Sequence, residues 1–78
     1  MSALRHSRHM TPAQKFAAYC SQARHASATA GDIANVGAAA HETFQLARVD
    51  VARIANAYVV DARRVTLLLA AYDYAVGA

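Results

Sequence analysis

The side chains that could ligate a metal or act as nucleophile or base are four histidines (His6, His9, His25, His41), the single cysteine Cys20, the thioether of Met10 and five carboxylates. A zinc or di-iron site needs several such groups converging, which a sequence announces by Cys-x-x-Cys, His-x-x-x-His or Glu-x-x-His spacing. None of these spacings occurs. His6 and His9 stand three apart, ahead of the first apolar period. Cys20 and His25 are five apart, on different faces of a helix. His41 and Glu42 are neighbours, so on a helix they point about 100° apart and do not work as an acid/base pair. A nucleophilic Cys20 would require a lowered pKa and a positioned base. No acid or histidine lies three or four residues away, so a buried small hydrophobe is expected. With three glycines and no Gly-rich phosphate loop or nucleophile elbow, the expectation is a chain that is not an enzyme and uses no metal or cofactor.

Charge is the next possible source of function. The net charge of +3 is unevenly spread: residues 1–30 hold Arg5, Arg8, Lys15 and Arg24 without an acid, whereas residues 31–78 hold four arginines against five acids. Those four N-terminal cations are the candidate nucleic-acid contacts, in a small basic dimeric protein whose N-terminal arm reaches phosphate. Four charges over thirty residues make no dense basic face, so this is the alternative reading.

Alanine, the best helix former, supplies 21 of the 78 residues, and no segment alternates like a strand. The pattern predicts an all-α chain. Residues 1–10 lack an apolar period and read as a flexible basic arm, and residues 11–78 read as one helical domain. Thr11-Pro12-Ala13-Gln14 is a strong helix start, with a threonine N-cap, proline at the first turn and glutamine placed to complete a capping box. That helix is predicted over residues 12–30, with a turn at Gly31 and Asp32. A long second helix follows over residues 33–76, where proline is absent and Gly37 is the one glycine. It carries two seven-residue ladders, Gly37-Phe44-Val51-Tyr58-Val65-Tyr72 and Ala40-Ala47-Ile54-Asp61-Leu68-Ala75.

Lengths then pose a problem of cover. At 1.5 Å per residue the second helix would be roughly 65 Å long and the first about 28 Å. Folded back as an antiparallel hairpin, the first shelters the second only to about Val51. The distal half is rich in Ile54, Tyr58, Val65, Leu68, Leu69 and Tyr72, an apolar surface larger than monomers leave in water. The expected remedy is self-association into a four-helix bundle, with those six residues and Arg64 at the partner or oligomer interface. Asp61, alone among polar residues in the seam, either tilts out toward Arg64 or sets register against a partner. The alternative is a three-helix bundle monomer, with the long helix broken near Asp50, Asn56 or Asp61, each a possible N-cap.

No 18-residue apolar run exists and the first residues lack a secretory signal, so a cytoplasmic chain without membrane partners is expected. The outline is similar to the small secreted helical pairs of actinobacteria, although their Trp-x-Gly turn has no counterpart in a chain without tryptophan. In size and helix pattern it also resembles the compact helical inhibitors of bacteriophages and mobile elements. That resemblance implies a small regulator or inhibitor, or an assembly subunit, whose partners are itself and another protein.

Overall fold

The computed structural model describes residues 10–78, so the expected basic arm, Arg5 and Arg8 included, lies outside the described residues except for Met10. Four helices and one isolated helical turn follow: α1 (Pro12–Tyr19), the turn α2 (Ser21–Arg24), α3 (Ala30–Glu42), α4 (Arg48–Tyr58) and α5 (Ala62–Gly77). Among the described residues there is no strand, and the chain is all-α.

The start of α1 follows the sequence. The Thr11 hydroxyl accepts from the Gln14 N–H at 3.2 Å and the Gln14 side chain accepts from the Thr11 N–H at 2.8 Å, with Pro12 first in the helix. The expected helix over residues 12–30 does not persist. It ends at Tyr19, resumes for one turn, and stops at His25, whose backbone is extended (φ −60°, ψ 140°). A second capping box then opens α3: Thr29 Oγ1 accepts from the Asp32 N–H at 3.1 Å, and Asp32 Oδ2 accepts from the Thr29 N–H at 2.9 Å. Gly31 and Asp32 therefore sit inside α3 instead of forming the expected turn, because a reciprocal pair of side-chain bonds satisfies more orphan amides than a glycine C-cap would.

The expected continuous helix over residues 33–76 is interrupted twice. After Glu42 the chain turns with Gln45 at φ 53°, and the N–H groups of Phe44, Leu46 and Gln45 take the carbonyls of Ala39, Ala40 and His41. Tertiary contacts repay the interruption. The Phe44 ring packs on Phe16 and Tyr19 at centroid distances of 6.1 and 5.9 Å, and the Leu46 carbonyl accepts from the Tyr72 hydroxyl at 2.6 Å. The second break follows α4, where Val60 adopts φ 72° and Asp61 caps α5 by accepting from the N–H groups of Arg63 and Arg64 at 2.9 and 3.3 Å. Of the three possible break points, only Asp61 acts as a cap. Asp50 lies in the first turn of α4, and the Asn56 side chain donates back to the Ala52 carbonyl at 2.7 Å within the helix.

These two breaks dispose of the cover problem. They return α5 along α3, Gly37 against Leu68 and His41 against Tyr72, thirty-one residues apart in both cases, so the two helices run parallel and α4 is the crossover between them. Phe16, Cys20 and Ala23 join Val36, Ala40, Val51, Ile54, Val59, Val65 and Leu68 in one core. The distal apolar residues are thus largely sheltered by their own chain, contrary to the length mismatch of two uninterrupted rods.

Two substitutions test this account. Helix propensity alone would make alanine at position 37 about 1 kcal/mol better than glycine. A Cβ there would, however, overlap the Leu68 carbonyl oxygen and touch the Ala71 methyl at 3.0 Å. Overpacking against backbone wins, and Gly37→Ala is expected to destabilise by about 2 kcal/mol in urea unfolding. Val60 is 72% exposed and holds a left-handed conformation that costs a β-branched residue about 1–2 kcal/mol. Val60→Gly is expected to raise the unfolding midpoint, with a gain of about 1 kcal/mol.

Candidate functional site

Among the described residues no three His, Cys, Asp or Glu side chains gather closely enough to hold a metal ion. Cys20 is fully buried among Phe16, Ala23 and their neighbours, and burial pushes its thiol up to about 11, which keeps it a protonated core residue. His25 Nδ1 receives the Ser27 N–H at 3.2 Å and lies 2.8 Å from the Ser27 hydroxyl. His41 stands edge-on to Tyr72, centroids 5.9 Å apart, and the next residue, Glu42, is exposed.

The residues expected at an oligomer interface have another place. Ile54, Val65, Leu68 and Tyr72 are buried in the chain's own core, and Leu69 is half-buried against it. Arg64 is half-buried and donates from one guanidinium nitrogen to the carbonyls of Ala23 and His25, both at 2.8 Å, so it closes the end of α2. Tyr58 alone is substantially exposed, beside Met10 and Arg24. The six described cations also divide. Arg48 pairs with Asp73 at 2.8 Å and Arg53 with Asp50 at 3.1 Å, which together with Arg64 leaves Lys15, Arg24 and Arg63 without a side-chain bond among the described residues.

A different surface is left over once the core has closed. The outward side of the α3 and α5 pair forms a shallow groove, with Ala34 and Ala38 on one wall and Leu67, Ala70, Ala71 and Tyr74 on the other. Tyr74 is 80% exposed at its edge. The floor is made of methyl groups because the helices approach closely, and they approach closely because of Gly37. This second stripe was readable in principle: Leu67 and Tyr74 are seven apart, with Ala70 and Ala71 between them. It was overshadowed by the stronger ladder through Val65, Leu68 and Tyr72.

Compared with protein-family models, curated proteins and solved structures, the chain finds no match in any of the three. Among the described residues no helix is long and apolar enough to cross a membrane.

Two carboxyls report on the scaffold around this surface. Asp32 is held below the 3.8 of a free carboxyl by the backbone and side-chain hydrogen bonds of Thr29, and Asp73 by its hydrogen bond from Arg48. A depressed folded midpoint stabilises the fold above the unfolded value and is lost as pH falls through the folded one. Stability is therefore expected to decline below pH 3.8, with no contribution from this pair to any change between about 5 and 7. In a carboxyl-carbon NMR titration, Thr29→Val, which removes the hydroxyl but keeps the backbone N–H that lowers Asp32 most, should move Asp32 only part of the way back toward 3.8 while leaving Asp73 depressed.

Proposed function

We propose that this chain is a non-enzymatic helical interaction module of the cytoplasm, which works by occupying a surface on another macromolecule as a small regulator or inhibitor, or as a subunit of an assembly. The observation that supports it best is the apolar outer groove of α3 and α5, bordered by the exposed Tyr74. Val76, 52% exposed, extends the same helix end. Large apolar side chains left in water on a small domain are a standing cost unless something covers them, and tyrosine is among the residues that concentrate interface energy. The nucleic-acid alternative draws less support: of its four cations Arg5 and Arg8 lie outside the described residues, and Lys15 and Arg24 alone make no dense basic face.

A photo-cross-linking residue at position 74, in cells that naturally make the protein, tests the reading. A covalent adduct with a protein is expected, whether a second copy or another chain, while the same residue at exposed position 53 should give none. Adducts to nucleic acid alone, or no adduct at 74, would overturn it.

A further inference from the structure

The groove described above has a polarity that its alanine floor conceals. At about 100° per residue, Arg63 falls in the same sector of α5 as Leu67, Ala70 and Tyr74. Glu42 borders the groove at its other end. Because α3 and α5 are parallel and Gly37 stands level with Leu68, Arg63 is level with Asp32, about 15 Å along the axis from Glu42. Both side chains are exposed, and neither joins an ion pair among the described residues, where the pairs are Arg48 with Asp73 and Arg53 with Asp50. Asp32 has its carboxylate committed to Thr29. Among the described residues the outer face therefore carries one unpaired cation at one end and one unpaired anion at the other, with alanine methyls, Leu67 and the Asn35 amide between and Tyr74 level with the anion.

We infer that the occupant of this groove is a second copy of the same chain, seated antiparallel about a two-fold axis, with Glu42 of each copy against Arg63 of the other. The inference rests on the interaction reading and names its partner and geometry. A two-fold interface brings each patch against itself, so its charge layout must be self-complementary. Turned end for end, the patch satisfies that condition twice. Aligned parallel, it would set Glu42 beside Glu42 and Arg63 beside Arg63. The antiparallel match also carries each Tyr74 over the other copy's α3 near Gly31 and Ala34, small residues that leave room for a ring. Gly31 has open space around it: a Cβ there would meet nothing closer than the Thr29 hydroxyl at 3.6 Å.

Sedimentation equilibrium of the full chain decides it. The unmodified protein should dimerise, and Tyr74→Ala should weaken the dimer about thirtyfold without lowering the unfolding midpoint measured at concentrations where both chains are monomeric, since the side chain is exposed. Glu42→Arg and Arg63→Glu should each weaken self-association about tenfold or more, because each places like charges together at two equivalent points. Mixed in equal amounts, these two single variants should associate with each other about as tightly as the unmodified chain does with itself. No intramolecular contact could produce that preference, as the two sites are about 15 Å apart within one chain. A monomer at about 1 mM, or single variants with no preference for each other, would overturn the second-copy assignment. A cross-link from position 74 to a different protein would then leave the interaction reading standing, whereas no adduct at all would sink both.

Discussion

The structure depends on the close approach of α3 and α5 where Gly37 faces the Leu68 carbonyl. Without a side chain at that point the helices settle backbone to backbone, and alanines on both sides can serve as floor instead of as gaps. Small residues ordinarily contribute little burial, but here they let Val36 and Ala40 reach Leu68 and Tyr72 in a single core. The outer groove has the same origin: a pair of helices held further apart would need larger residues to fill it and would present no shallow channel.

That approach is made possible by two interruptions without glycine or proline. Gln45 and Val60 both occupy the left-handed region, where neither residue type is favoured. Each is held there by what lies on either side. Around Gln45, Phe44 is drawn to Phe16 and Tyr19, and Leu46 offers its carbonyl to Tyr72. Around Val60, Val59 is buried and Asp61 is committed to the amides of α5. Tertiary packing thus overrides local preference at two single positions and converts a possible rod into three segments.

How much of this could be read beforehand follows from the same residues. The helical class was legible in the alanine content, and the start of α1 in Thr11, Pro12 and Gln14, because those signals are local and their mechanism is complete within four residues. Cys20 as a core residue was legible for a similar reason. The interruptions were not, since the apolar ladder runs through both of them: Phe44, Val51, Tyr58, Val65 and Tyr72 keep their seven-residue spacing while serving the turn after α3 and the two helices α4 and α5. Gly37 marks a close approach in the sequence, but a pattern along one chain says that something comes close without saying that it is the Leu68 carbonyl of α5. Of the residues expected at an interface, Ile54, Val65, Leu68 and Tyr72 lie in the core while Tyr58 stays exposed, and Tyr74 lies off the main ladder.

The shared direction of α3 and α5 has an electrical consequence. Aligned peptide dipoles place the positive poles of both helices at one end of the molecule, where parallel neighbours oppose each other instead of cancelling as an antiparallel pair would. Two of the five carboxylates in the chain are stationed there, Asp32 in the first turn of α3 and Asp61 ahead of α5. Residues that look like ordinary caps therefore also act as counter-charges, and they ease the repulsion between two like-directed helices that packing has brought side by side.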